Sequence, residues 1–267
     1  MKHTLAFDNV SFEVDSQVGG RVTSFRMDDL DVLSGPDVDS RNYGSTFWTS
    51  PQSDWGWPPP AEVDCNPYGV LAEGDALTLT SAPQGSLGIC VTKRFSADRA
   101  NRAVVLEYSI HNVSSTPKLY APWEVSRVPS YGLTFFPTGA WSAGSLRVQR
   151  CATATWFHHD PSVLHDVGEK STADGAGGFV AHASRGLLFL KSFADVPPEL
   201  QAPGEGEIEI YANNRYAEIE VQGPYARIDA GASASWKVIW YLRRLPPGLV
   251  VASGSPELFE FTASVVR

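Results

Sequence analysis

The stretch Asn213–Leu245, NNRYAEIEVQGPYARIDAGASASWKVIWYLRRL, reads as extended chain from its first residues. Tyr216, Glu218, Glu220 and Gln222 alternate with Ala217, Ile219 and Val221. A strand over these positions places its apolar side chains on one face and two carboxylates and a carboxamide on the other. Just upstream, Glu207, Glu209 and Tyr211 alternate with Ile208 and Ile210, and Asn213-Asn214 is a candidate tight turn between the two strands. That turn sets Glu209 opposite Glu218 and Glu207 opposite Glu220. Like charges facing each other across a sheet are destabilising, so four carboxylates on one face need a reason. One reason is a solvated outer face on which the repulsion is screened. The other is an acidic floor that meets a polyhydroxylated ligand or a cation.

The same patterning continues outward in both directions. Strand-like runs such as SFEV, GRVTSFRM, ALTLTS, RAVVLEYSIHN, GLLFLKSF and SWKVIWYL are punctuated by VGGR, SGPD, PQG, TPK, SRG and AGAS. Helical periodicity is confined to short pieces such as PELFEFTA near the C-terminus. Many short strands with glycine- and proline-rich turns predict an all-β sandwich or barrel. Without an internal repeat or a linker, one domain over 1–267 is expected. Three segments read as irregular: Asn42 to Tyr68, Trp156 to Gly178, and Asp195 to Gly206.

Composition narrows the function classes. The formal net charge of -9 and the lack of basic clusters argue against a nucleic-acid partner. No apolar run is long enough to span a membrane, and the N-terminal MKHTLAFDNVSFEVD reads as a strand and not as a secretory signal, so a cytoplasmic location is expected. Cys65, Cys90 and Cys151 are scattered and odd in number, which disfavours a disulfide framework or a cysteine zinc site. No glycine-rich phosphate loop precedes a helix, so no organic cofactor is expected.

Several side chains suit a sugar. Trp48, Trp55 and Trp57 share one segment with Asp54; indole faces stack on pyranose C–H faces while a carboxylate takes hydroxyls, although the same residues could plug one end of a sandwich. Around Pro122, Trp123, Val125 and Arg127 share one strand face and Glu124, Ser126 and Val128 the other. Arg127 could hold an anionic substituent through its planar fork, and Lys170 could offer a charged donor. His158 and His159 are adjacent and point apart in a strand, so a metal site with Asp160 and His165 would need a curled loop, and none is expected.

The segment Ile219-Glu220-Val221-Gln222, then Pro224, Asp229-Ala230-Gly231 and the strand Trp236 to Leu242 resembles the C-terminal part of the galactose mutarotase (aldose 1-epimerase) superfamily. GFVAHASRGLLFLKSF and VGGRVTSF resemble that superfamily's inner strand pair and opening hairpin, in the right order. FWTSPQSDWGWPPP, APWEVSR and EIEVQGP look closer to a bacterial side branch than to true mutarotases. The resemblance implies a β-supersandwich that binds a carbohydrate and interconverts its anomers. In that chemistry a glutamate is general base on the anomeric hydroxyl and a histidine is general acid on the ring oxygen. Glu220 matches the base, and Glu218 and Glu207 are expected to raise its proton affinity. The segment that should hold the histidine reads Leu119 to Arg127, with Trp123 or Glu124 in its place. His165 is the preferred replacement, and an inward Glu124 held protonated is another. The expected sugar contacts are Trp48, Asp54, Trp55, Trp57, Trp123, Glu124, Arg127, Lys170, Glu218 and Gln222. The rival readings are a sugar-binding protein without turnover and a divalent cation such as calcium on the acidic face.

Overall fold

A computed structural model describes residues 1–151 and 153–266. The chain forms two antiparallel sheets packed face to face, as alternation of apolar and polar residues requires when each sheet must bury one side. The first sheet runs through Lys2–Phe7, Val10–Asp15, Arg21–Met27, Ser45–Ser50, Lys118–Pro129, Tyr216–Gln222, Ile208–Ala212 and Glu169–Gly175. The second contains Gly69–Glu73, Ala76–Thr80, Ile89–Asp98, Ala103–Asn112, Ser233–Arg244, Leu187–Phe193 and Phe179–Ser184. One long strand, Gly132–Gly144, belongs to both. Its first half pairs with Phe179–Ser184 and Ala154–His159, and beyond Pro137 it crosses over to pair with Glu169–Gly175 through an irregular register. This is the expected all-β supersandwich.

The core lies between the sheets. Phe12 meets Trp240 edge-on at 5.6 Å, Phe25 meets Phe189 at 5.7 Å, and Phe47 stacks on Tyr108 at 4.6 Å. Such rings contribute more than their buried area because edge-to-face and offset contacts align their quadrupoles. The C-terminal PELFEFTA is a helix, Pro256–Val265, capped by the Ser255 hydroxyl, which accepts from Leu258 N–H at 3.3 Å. It packs Leu258 against Leu188, Leu190 and Phe135 of the second sheet.

Three sequence expectations need correction. The hairpin turn is Asn214-Arg215, one residue later than the asparagine pair suggested. The Asn213 side-chain oxygen accepts from the N–H groups of Arg215 (2.8 Å) and Tyr216 (3.0 Å), which fixes the turn there. Glu209 therefore pairs with Glu220 and Tyr211 with Glu218. A two-residue shift in pairing leaves every side chain on its predicted face. Secondly, two of the segments read as irregular contain strands: Asn42 to Tyr68 holds Ser45–Ser50, paired with Lys118–Pro129, and Trp156 to Gly178 completes the strand Ala154–His159 and contains Glu169–Gly175.

Thirdly, Glu124 lies on the inner face of the first sheet, out of reach of any ligand on the outer one. It is fully buried, pairs with the equally buried Lys191 at 2.9 Å, and accepts from Tyr108 Oη at 2.8 Å and Trp240 Nε1 at 3.0 Å. Lys191 also donates to the Ile219 carbonyl at 2.7 Å, which ties the second sheet to the central strand. Breaking one side of such a pair strands a charge, whereas replacing both by apolar groups of similar volume is tolerated. Glu124→Leu is expected to lower the urea-unfolding free energy by about 3–5 kcal/mol, and adding Lys191→Met to recover most of that loss. Additive losses in the double variant would contradict a paired role.

Candidate functional site

On the outer face of the first sheet, five neighbouring strands bring their polar positions into one row. The order across the sheet is Ser45–Ser50, Lys118–Pro129, Tyr216–Gln222, Ile208–Ala212, Glu169–Gly175, and the register aligns Trp48 with Trp123, Val125 with Glu220, and Glu220 with Glu209. A cavity of about 390 Å³ opens there. Its floor is Glu209, Glu218 and Glu220, its aromatic wall Trp48, Trp57 and Trp123, and its opposite wall Lys170, Tyr211 and Tyr216; Asn42 and Gln52 complete it. The volume falls within the range of small-molecule sites.

The electrostatics follow from three carboxylates set beside two cations. Arg127 Nε donates to Glu218 at 2.7 Å, and Lys170 Nζ donates to Glu209 at 3.0 Å. Glu220 has no such partner: it is 2% exposed, and its Oε2 makes no hydrogen bond among the described residues. Burial, then the neighbouring Glu209 and Glu218, push its carboxyl well above the ordinary carboxylate range. Burial raises Glu209 to about 7 against the opposing pull of Lys170. Burial and the two neighbouring carboxyls thus favour the protonated form of Glu220, beside a Glu209 whose value is raised to about 7.

The supporting residues explain why the floor is rigid. Arg127 is 1% exposed, sits 5.1 Å from the Trp48 ring, and gives a second hydrogen bond to Thr46 Oγ1 at 2.7 Å. Trp48 Nε1 donates to Asp64 at 2.8 Å. Trp55 packs behind Trp48 at 5.8 Å and Trp123 at 6.2 Å, with its Nε1 on the Thr49 carbonyl at 2.8 Å. Glu207 accepts from Val196 N–H at 2.7 Å and Gly175 N–H at 3.0 Å, so it fastens the Asp195–Gly206 segment and does not face the cavity. The neighbours that raise Glu220 are thus Glu218, as expected, and Glu209 in place of Glu207.

Of the residues expected from sequence, Trp48, Trp57, Trp123, Lys170, Glu218 and Glu220 line the cavity together. Six others do not. Arg127 is committed to Glu218 beneath Trp48; Trp55 is a support; Glu124 is in the core; Asp54 is exposed at the turn Gln52–Asp54; and Gln222 is buried beside Trp123. His165 is exposed in the segment before Glu169, where its carbonyl accepts from Asn214 N–H at 3.2 Å. The residues that sequence reasoning missed are Asn42, Gln52, Tyr211, Tyr216 and, as a partner of Glu220, Glu209. For the last, the alternation EIEIYA carried the signal and only the register was misread. The acidic face brings its own cations in Lys170 and Arg127. No cluster of three or more His, Cys, Asp or Glu suited to a metal ion occurs among the described residues.

Solved structures place this architecture. A galactose mutarotase-like protein from Lactobacillus casei superposes with a TM-score of 0.65 at 10% identity, covering 91% of this chain and 100% of that one. The fold is that of the galactose mutarotase-like proteins. A galactose mutarotase-related enzyme from Lactobacillus acidophilus gives a TM-score of 0.63 at 7% identity, covering 92% of this chain and 99% of its own. The galactose 1-epimerase of Lactobacillus acidophilus NCFM gives 0.54 at 11% identity, covering 91% and 94%. No protein-family model matches the sequence, and no curated protein does either. No helix among the described residues is long and apolar enough to cross a membrane.

A buried carboxyl held protonated in the fold weakens folding once the pH exceeds its unfolded value, because the unfolded chain ionises freely and the folded one does not. The loss begins near the ordinary glutamate value of 4.5 and grows as pH rises toward the raised folded value. Glu220→Gln removes it. The variant is expected to melt above wild type, with a stability gain growing by about 1.4 kcal/mol per pH unit where only the unfolded state is ionised. Thermal unfolding at pH 5 and pH 8 checks this; an equal or smaller gain at pH 8 would contradict the assignment.

Proposed function

We propose that the cavity binds a sugar and interconverts its anomers, with the cross-strand pair Glu209 and Glu220 moving the protons. The observation that carries this reading is the pair itself: two facing carboxyls in a walled cavity, one held by Lys170 and raised only to about 7, the other without a cation of its own and pushed well above the ordinary range by burial and its neighbours. The anomeric hydroxyl and the ring oxygen are both attached to the anomeric carbon, so an acid and a base on neighbouring strands can serve both. In ring opening, the Glu209 carboxylate takes the hydroxyl proton, the anomeric carbon–hydroxyl oxygen bond becomes a carbonyl, the bond to the ring oxygen breaks, and that oxygen receives the Glu220 proton. The aldehyde turns and the same transfers run backwards, with Glu220 now acting as base. The tryptophans Trp48, Trp57 and Trp123 offer faces for the sugar's C–H surface. The mutarotase-like fold supports the same reaction class, as an analogy of fold.

Polarimetry on freshly dissolved aldose anomers tests the proposal. Wild type is expected to speed the decay of optical rotation for at least one aldose, uronic acid or sugar phosphate, and Glu220→Gln or Glu209→Gln to reduce the rate by about a hundredfold or more. Binding by calorimetry without any acceleration would replace the enzyme by a non-catalytic sugar binder.

The two carboxyls also set a pH profile. Activity is expected to rise through pH about 7 as Glu209 ionises and to fall at higher pH as Glu220 loses its proton. Lys170 lowers the Glu209 value, so Lys170→Met should move the rising limb to higher pH. A rising limb that stays in place in this variant would contradict the role given to Glu209.

A further inference from the structure

A second cavity of about 370 Å³ adjoins the first, and Asn42 and Trp57 line both. Trp57 is 61% exposed, the most exposed tryptophan wall of either cavity, and its ring meets Trp48 edge-on at 5.9 Å. The two cavities are also joined from beneath. Trp48 of the first donates to Asp64 of the second, and Asp64 pairs with Arg21 at 3.3 Å. Arg21 is only 3% exposed, donates to the carbonyls of Arg41 (2.5 Å) and Tyr43 (3.1 Å), and lies 4.5 Å from the Tyr43 ring. Its Nε–H is buried and has no partner among the described residues, which is costly for a donor away from water.

Resting on the sugar reading of the first cavity, we infer that the ligand is at least a disaccharide, with its reducing-end ring on the carboxylates and a glycosidically linked second ring in this adjoining cavity. Each cavity taken alone is near the lower end of ligand-pocket sizes, and together they match a two-ring molecule. The second wall combines the aromatic rings of Tyr43 and Trp57 with the apolar Pro58 and Pro59 and suits the C–H face of a pyranose. The Arg21 charge is already balanced by Asp64, so Arg21 offers no free cation to a phosphate or carboxylate. Trp57 stands between the rings as a shared platform.

Calorimetry with glucose and galactose against maltose, cellobiose and lactose tests this. At least one disaccharide is expected to bind tenfold or more tightly than its own reducing-end monosaccharide. Ala61 is exposed on the rim of the second cavity, so Ala61→Trp fills that cavity with little demand on the fold. It should bring the disaccharide-to-monosaccharide affinity ratio to about one, whereas Trp57→Ala, on the wall both cavities share, should weaken both sugars. Monosaccharides that bind as tightly as disaccharides, or a disaccharide advantage that survives Ala61→Trp, overturns the two-ring inference and leaves the proposed function standing. Failure of every sugar to bind overturns both.

Discussion

Three buried or nearly buried carboxylates share the outer face of the central sheet with only two cations, and this imbalance governs the rest of the site. Arg127 pairs with Glu218 and Lys170 with Glu209, which leaves Glu220 without a cation of its own among the described residues and favours its protonated form. Desolvation supplies the largest push, because a lone carboxylate with an unpaired oxygen is poorly stabilised away from water. The aromatic wall contributes by keeping water out and by holding the Arg127 guanidinium under Trp48. A buried carboxyl of this kind weakens the fold once the pH exceeds its unfolded value.

The geometry behind that imbalance depends on neighbouring strands staying in one register. The side chain of Asn213 fixes the turn, the turn fixes Glu209 against Glu220, and Lys191 reaches from the opposite sheet to the Ile219 carbonyl in the middle of the same strand. Beneath the cavity the Glu124–Lys191 pair, with Tyr108 and Trp240, makes a polar knot inside an otherwise apolar core. Such a knot specifies how the sheets meet, since a shifted packing would leave its members unsatisfied.

Much of this was legible in the residues. The alternation of Glu218 and Glu220 with Ile219 fixes which side chains share a face, since a strand's period of two survives any even register shift. Glu218 and Glu220 were therefore recognisable as sharing a face by spacing, whereas Lys170 and the tryptophans Trp48, Trp57 and Trp123 were picked out by side-chain type alone. Other features left no pattern. Nearly every position of Lys118–Pro129 is buried, one side by the core and the other by the site, so nothing in the sequence says which face holds Glu124. Glu169–Gly175, EKSTADG, lacks an apolar rhythm because its polar side chains meet separate partners, Lys170 on Glu209, Ser171 on the Leu146 carbonyl and Asp174 on Ala140 N–H and Gln201, and it reads as a loop. Arg127 looked available for a ligand because its partner Glu218 comes from a strand far along the chain.

The strand Gly132–Gly144, shared by both sheets, has a mechanical consequence. Its first half is laced into one layer and its second half into the other, so the layers cannot part along a clean seam. Loosening either one tugs on the other through continuous backbone, and the molecule should come apart as a single cooperative body. Any guest must then enter by way of the loops at the rim, with the layered body as a fixed frame.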